Sequence, residues 1–210
     1  KKDFSRYPRN IKKDLNKLKK LNIDYVFVPN TSEIYKEKRK KRLIVHSKKK
    51  ILCGKYRRKH FEGVIDIVDR LLNIINPKYM FLGQKDFQQL FLIKKHAEKK
   101  FRVKIISCKT IRDKNYVALS SRNFLLSKNN LKIAGNISKE LNLLKKKIKK
   151  NYKFKKEINY YKNYITKKYS VKIDYLEIRN EKDLSTFKKK KKFRLFVAYH
   201  LGRVRLIDNY

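Results

Sequence analysis

The sequence predicts a protein of the α/β class, in which a parallel sheet is followed by a smaller α+β unit with an antiparallel sheet. In the first half, short apolar runs alternate with stretches of helical periodicity, which is typical of βαβ units. In the second half, two helical stretches precede three strand-like stretches, and the last two strands meet at Gly202. We place the domain boundary near Thr110, which gives units of residues 1–110 and 111–210.

The elements of the first half follow from apolar spacing. Short apolar runs predict strands that are buried on both faces, and these are residues 24–28, 79–82 and 103–106. Apolar residues at helical spacing predict helices, and these are residues 9–21, 61–75 and 90–97. Pro77 ends the second helix, because proline lacks the N–H that a helix needs. The charge block 36–42 predicts a solvated loop.

In the second half, Ser127 is expected to cap a long helix. The apolar face of that helix is Ala134, Ile137, Leu141, Leu144 and Ile148. A more polar helix is predicted over residues 155–168, and strands over 171–178, 193–201 and 203–208. Gly202 predicts a hairpin turn between the last two strands, and the lysine run 188–192 predicts a loop.

Composition limits the classes of function. The chain has 210 residues, and the 41% of them that are apolar argue against disorder throughout. Its formal net charge is +42. Such a charge is typical of proteins that bind nucleic acid or an acidic membrane surface. However, the excess is mostly lysine spread between apolar positions, which favours a general bias in residue usage. A basic nucleic-acid-binding protein remains the alternative.

Other features bear on location and completeness. Cys53 and Cys108 are too few for a disulfide framework or a four-ligand metal site, which fits a cytoplasmic protein. No apolar run is long enough to span a bilayer, and no signal peptide is visible. The chain begins with Lys1 and its single Met is Met80, so we expect a fragment that lacks its N-terminus.

The segment Gly83–Gln89 is the first candidate site, because it joins a predicted strand to a predicted helix. Ligands of α/β sheets bind at the carboxyl ends of strands, and a helix N-terminus favours phosphate. Lys85 adds a positive charge, and Gly83 allows close approach of a ligand. The alternative is that Asp86 and Gln89 form a capping box with no ligand.

Two further candidates are weaker as patterns. Ser120–Asn123 offers two hydroxyl groups and a guanidinium, which are good phosphate donors, although the short pattern by itself favours a polar turn before the helix at Ser127. His60 opens an amphipathic helix, where a lone histidine is more often structural than functional.

Five segments in this order resemble the pantothenate synthetase (pantoate–β-alanine ligase) family over the whole chain. They are Arg6–Arg9 with Asp14 and Leu15, His60–Val64, Gly83–Gln89, Ala118–Asn123, and Leu201–Gly202 with Arg205–Asn209. The resemblance implies a Rossmann-like nucleotide-binding domain, here without its first strand and helix, followed by a C-terminal lid domain. It also implies a cytoplasmic enzyme of the coenzyme A pathway that is a homodimer, with no nucleic acid and no membrane as partner.

The reaction implied by the resemblance has two steps. The carboxylate of pantoate attacks the α-phosphate of ATP and gives pantoyl adenylate and pyrophosphate, after which β-alanine displaces AMP to form pantothenate. The resemblance assigns ATP binding to Gly83, Gln84, Lys85, Asp86, Ile111, Leu119, Ser120, Ser121 and Arg122, and pantoate binding to Gln89, Arg57 and His60. Lys85 and Arg122 would offset the charge of the transition state. Mg²⁺ would lie on the triphosphate, with no metal held by protein side chains.

The sequence departs from the family pattern in ways that matter for activity. Neither the family's Met-Gly-x-Leu-His-x-Gly-His type of segment, with its catalytic histidines, nor its Asn-Pro-x-Gln-Phe type of segment occurs. We therefore expect the 210-residue chain alone to be inactive. Gln84 stands where glutamate is usual, and Tyr116 stands where a turn glycine is usual and would disfavour a positive φ.

Overall fold

A computed structural model describes residues 10–36, 43, 45–150, 154–187 and 192–210. The chain divides into two compact units, Lys1–Arg42 and Leu43–Tyr210, and each is described by itself. The segment Arg6–Arg9, most of the charge block 36–42 and most of the lysine run 188–192 lie outside the described residues, so the predictions on them stay predictions.

Among its described residues, the first unit contains the helices α1 (Ile11–Lys20) and α2 (Thr31–Ile34). α1 confirms the predicted basic helix and is capped by Asn10, whose Oδ1 accepts from the N–H of Lys13 at 2.9 Å. The strand predicted at residues 24–28 is wrong, because this stretch forms no strand and Tyr25 is 93% exposed. A strand exists only when a neighbour supplies hydrogen bonds, and apolar runs carry no information on whether that neighbour is present.

The second unit begins with a βαβ arrangement. Its elements are α3 (Cys53–Tyr56), α4 (His60–Ile75), β1 (Tyr79–Gly83), α5 (Phe87–Lys100) and β2 (Lys104–Cys108). β1 and β2 pair in parallel, from Tyr79 opposite Lys104 to Gly83 opposite Cys108, as the sequence predicts. α4 ends at the predicted point, where Asn76 takes a left-handed φ of 46° just before Pro77.

The prediction that β1 is buried on both faces is wrong. Met80 and Leu82 pack into the core with α5, whereas Tyr79 and Phe81 on the opposite face are 47% and 66% exposed. The composition of a strand does not reveal how many layers cover it, because isolated apolar side chains are also common on protein surfaces.

The antiparallel part of the unit follows the two long helices α6 (Lys128–Lys150) and α7 (Phe154–Tyr169). Its strands are β3 (Lys172–Asn180), β4 (Phe193–Leu201) and β5 (Val204–Asn209), in the order β3–β4–β5. The predicted cap is confirmed, since Ser127 Oγ accepts from the N–H of Asn130 at 3.1 Å. The predicted turn is also confirmed, because Gly202 has a φ of 56° between β4 and β5.

β4 is the central strand and separates two hydrophobic clusters. Leu195, Val197 and Tyr199 pack against the predicted apolar face of α6, all of which is buried. Phe196 and Ala198, on the other face of β4, pack with α4 and α5. Because successive side chains of a strand point to opposite faces, one face of β4 packs against α6 and the other against the βαβ part, where the candidate site lies. The domain boundary near residue 110 stays a prediction.

Candidate functional site

The loop after β1 has the position expected of a ligand site. A 3₁₀ turn, Gln84–Asp86, joins β1 directly to α5, so Gly83 lies at the carboxyl end of a parallel strand. A Cβ built on Gly83 meets no atom within 4 Å, which leaves the backbone open to a ligand. Gln84 Nε2 donates to Ser107 Oγ at 3.3 Å and ties the ends of β1 and β2 together.

The capping-box interpretation of this loop is wrong. Asp86 is the N-cap residue of α5, but its side chain makes no capping hydrogen bond. Its carboxylate instead lies 3.7 Å from Lys85 Nζ and is 46% exposed. The Asp86 carboxylate is therefore not occupied in capping α5.

A small pocket brings Lys85 together with Ser120 and Arg122, and the phosphate-binding role of these residues stays a prediction. Its volume is about 20 Å³, which accommodates one group the size of a water molecule. Other residues of its wall are Val117, Ala118, Asn123, Tyr199, Leu206, Ile207 and Asp208. Burial raises the pKa of Tyr199, one of these residues.

The Ser120–Asn123 segment is shaped by its own hydrogen bonds. Ser120 caps a 3₁₀ helix, Ser121–Leu125, and its Oγ accepts from the N–H of Arg122 at 3.3 Å. Asn123 Nδ2 donates to the carbonyl of Ala118 at 3.0 Å, which leaves its buried Oδ1 without a partner among the described residues. Ser121 begins the 3₁₀ helix and does not line the pocket.

Ile111 and Leu119 are neighbours on the surface near this segment. The N–H of Leu119 donates to the carbonyl of Ile111 at 2.9 Å. Leu119 is 54% exposed and Ile111 is 66% exposed. Between them the chain turns at Tyr116, which takes a φ of 68° despite its side chain. Two donors hold its carbonyl, Arg112 Nη1 at 2.9 Å and Ser138 Oγ at 2.8 Å, and these oppose the strain.

The residues predicted for pantoate do not join this pocket. Arg57 Nη1 lies 3.0 Å from His60 Nε2, so these two side chains contact each other. Gln89 is half-buried on α5, and the described part of the chain supplies it with no hydrogen-bond partner. The role of these three side chains therefore stays a prediction.

Sequence reasoning missed two side chains that shape the site. Gln88 is buried and binds the segment before α3, with its Oε1 accepting from the N–H of Cys53 at 3.0 Å. Asn209 is buried at the end of β5 and donates to the carbonyls of Gln84 and Lys85. Both residues lie inside the family-like segments, but their spacing gives no sign of contacts so distant in sequence.

The same end of β5 carries an ion pair. Arg112 donates to both oxygens of Asp208, at 2.7 and 2.9 Å, and its Nη2 also donates to the carbonyl of Asn209. Burial disfavours the cation, but the hydrogen bond and charge of Asp208 outweigh it and raise the pKa of Arg112. The pocket wall at Asp208 is therefore tied to Arg112, in the turn between Ile111 and Leu119.

Fold and site together define a class: an α/β protein in which the cationic side chains of Lys85 and Arg122 line a small pocket near the carboxyl end of a parallel strand. The sequence model of the Pantoate-beta-alanine ligase family matches residues 1–210. The chain belongs to this family, and it is an enzyme of the ligase class that acts in pantothenate biosynthesis.

Relatives and solved structures agree with this assignment. Pantothenate synthetases from Endomicrobium trichonymphae and Caldicellulosiruptor bescii are 39% and 37% identical, each over 99% of this chain and 74% of its own length. The crystal structure of pantothenate synthetase from Thermus thermophilus has a TM-score of 0.89 at 28% identity, covering 99% of this chain and 76% of that one. This likeness confirms the predicted fold class.

A further solved structure is that of a complex with ligands. It is the pantoate-beta-alanine ligase from Francisella tularensis complexed with beta-gamma ATP and beta-alanine. Its TM-score is 0.78 at 30% identity, over 100% of this chain and 72% of that chain.

In the part of the present chain that is described, no helix has the length and apolarity that crossing a membrane requires.

Proposed function

We propose that this protein joins pantoate to β-alanine through a pantoyl adenylate. The carboxylate of pantoate attacks the α-phosphorus of ATP, forms the new P–O bond and displaces pyrophosphate. The amine of β-alanine then attacks the acyl carbon, AMP leaves with the electron pair of the broken C–O bond, and the ammonium loses a proton. The product is pantothenate.

The convergence of Lys85, Ser120 and Arg122 on one pocket carries the proposal. Pyrophosphate departure concentrates negative charge on the phosphoryl oxygens, and cationic donors aimed at those oxygens lower the barrier. Lys85 supplies a mobile ammonium and Arg122 a planar fork of donors. α5 begins at the same loop, and the positive end of its helix dipole favours an anion there.

The remaining substrate contacts extend this arrangement. The exposed carboxylate of Asp86 is a suitable acceptor for the ribose hydroxyl groups, and Ile111 and Leu119 offer apolar surface beside the nucleotide. We assign pantoate to Gln89, with Arg57 and His60 at the edge of its site. The ATP and β-alanine of the Francisella tularensis complex support both as substrates of this chain.

Mg²⁺ would be bound by the triphosphate. Within the described ranges, His, Cys, Asp and Glu side chains form no group of three or more that could hold a metal ion. A magnesium ion that keeps its waters and binds phosphate oxygens needs no such group. A homodimeric state, a cytoplasmic location and the absence of a nucleic-acid partner also belong to this proposal.

Isotope transfer tests the adenylate. The protein, in the form that its gene encodes, is incubated with ATP, β-alanine and pantoate labelled with ¹⁸O in the carboxylate. An adenylate transfers one labelled oxygen to AMP, whereas an acyl phosphate would transfer it to inorganic phosphate and release ADP. Label in phosphate, or no pantothenate, contradicts the proposal. The same assay on the 210 residues alone tests the expectation that they are inactive.

Two substitutions test the pocket. Lys85→Ala and Arg122→Ala should each lower turnover by about 10²–10³-fold, since each removes a donor to the developing charge. Lys94→Ala is the matched control, because Lys94 is 53% exposed on the surface of α5 and pairs only with Glu98 among described residues. Wild-type turnover in the first two variants, or a comparable loss in the control, would remove the phosphate assignment.

A further inference from the structure

The side chain of Asn209 reaches from the end of β5 to the nucleotide loop. Its Nδ2 donates to the carbonyl of Gln84 at 2.9 Å and to the carbonyl of Lys85 at 2.7 Å. Asn209 is 4% exposed, so water does not compete for these bonds. A single buried amide therefore uses both of its hydrogens on adjacent carbonyls of one loop.

Arg194 fixes the orientation of this amide. Its Nη1 donates to Asn209 Oδ1 at 2.7 Å, and its Nη2 donates to Glu181 at 2.6 Å. The guanidinium also lies over the ring of Phe87, 4.1 Å from its centroid. A flipped amide would set N–H groups against a guanidinium and an oxygen against two carbonyls, so one orientation is allowed.

The two carbonyls have a particular relation to Lys85. The carbonyl of Gln84 belongs to the peptide group before the Cα of Lys85, and the carbonyl of Lys85 belongs to the peptide group after it. Fixing both peptide planes fixes φ and ψ of Lys85, because these are the only soft backbone torsions of a residue. The direction in which the Lys85 side chain leaves the loop is thereby set.

We propose that Asn209, oriented by Arg194, is a positioning residue that aims Lys85 at the phosphate groups of ATP. The inference rests on the proposed function, since it assigns a task to the same pocket. Asp208, the preceding residue of β5, forms part of the wall of that pocket. β5 therefore both lines the site and fixes the lysine that acts in it.

The test uses Asn209→Asp, which keeps the size of the side chain and replaces the NH₂ group, the donor of both hydrogen bonds, by an oxygen. The oxygen would face two carbonyls, so the loop loses both bonds. Misplacing a binding group by about 1 Å costs roughly 10²-fold in function. We expect the dissociation constant for MgATP, measured by calorimetry on the protein that its gene encodes, to rise by about 10–100-fold.

A second background shows whether the effect passes through Lys85, and further variants serve as control and substitute. In a Lys85→Met background, Asn209→Asp should change the MgATP dissociation constant by less than about twofold, because a misplaced methionine loses nothing further. Asn142→Asp is the control, since Asn142 lies on α6 and, among the described residues, bonds only within that helix. If the aspartate variant does not fold, Asn209→Ser, whose hydroxyl is too short to reach, replaces it.

Hydrogen exchange provides a readout that needs no nucleotide. Amides of residues 84–88 should exchange faster in Asn209→Asp than in the wild type, while those of α6 stay unchanged. Unchanged loop exchange, wild-type MgATP affinity in Asn209→Asp, or an equal loss in the Lys85→Met background each overturns the positioning role alone. A wild-type protein that does not bind MgATP overturns the proposed function, and the inference with it.

Discussion

Gln88 and Gln89 are adjacent on α5, and we expect their replacement to separate stability from substrate binding. Gln88 is buried and makes three hydrogen bonds to the segment before and at the start of α3. Its partners are the N–H of Cys53 at 3.0 Å and the carbonyls of Lys48 and Ile51 at 2.8 and 2.7 Å. Gln88→Met keeps the approximate shape of the side chain and removes all three.

The expected cost follows from what each partner retains. The carbonyl of Ile51 also accepts from the N–H of Gly54 at 2.9 Å, so it keeps a bond. The carbonyl of Lys48 belongs to a half-buried residue and can bind water. The N–H of buried Cys53 is the group left unsatisfied, which costs about 1–3 kcal/mol. We therefore expect a loss of about 2 kcal/mol in the free energy of unfolding, and a melting temperature lower by about 4–8 °C.

The assay is urea unfolding followed by circular dichroism, paired with calorimetric titration of pantoate. Gln89→Met is the matched control, because Gln89 is half-buried and hydrogen-bonds to none of the described residues. It should leave the midpoint of unfolding unchanged and weaken pantoate binding. A Gln88→Met protein as stable as the wild type, or a Gln89→Met protein that is equally destabilised, would refute the reasoning.

Three further predictions concern the fold. Gly63→Ala should stabilise α4 by about 0.5–1 kcal/mol, because a Cβ at Gly63 meets no atom within 4 Å. Gly135→Ala should destabilise α6, because its Cβ would lie 2.7 Å from the carbonyl oxygen of Asn115, and thermal melts of both variants test the two expectations. Leu141→Ala should cost about 2–5 kcal/mol and Leu143→Ala little, since the first is 0% and the second 50% exposed on the same helix; equal losses in urea unfolding would contradict this. Burial raises the pKa of Asp174, but the hydrogen bond and charge of Arg205, together with His200, outweigh it and hold that pKa below 3.8. The stability from this ionised group is thus present above about pH 4 and lost as pH falls further. In urea unfolding, Asp174→Asn should lower the free energy of unfolding by about 2 kcal/mol at pH 7 and by less towards pH 3. A loss independent of pH would be inconsistent with the ion pair.

Local pattern determined the helices and most of the strands. The apolar spacing of α4 and α6 specifies which face is buried, because 3.6 residues per turn place every third or fourth residue on one side. Ser127, Pro77 and Gly202 mark element ends through chemistry that acts within a few residues. These features depend on near neighbours in the chain, so the sequence alone reveals them.

Patterns failed where the outcome depends on a distant partner. Residues 24–28 are apolar enough for a strand but pair with no strand among the described residues, and β1 has an exposed face that its composition did not indicate. Asp86 has the spacing of a capping box, yet its side chain makes no capping bond. In each case tertiary packing overrides a local preference that is worth little by itself.

The order of the family-like segments was sufficient to identify the ligase from sequence, and it supplied Lys85, Ser120 and Arg122 as candidates. Only the tertiary structure showed that these three side chains share a pocket while Arg57, His60 and Gln89 do not line it. Only the tertiary structure revealed Asn209 on the loop carbonyls and Gln88 on the segment before α3. The physical reason is that a hydrogen bond depends on distance and angle in space, whereas a sequence records only neighbours along the chain.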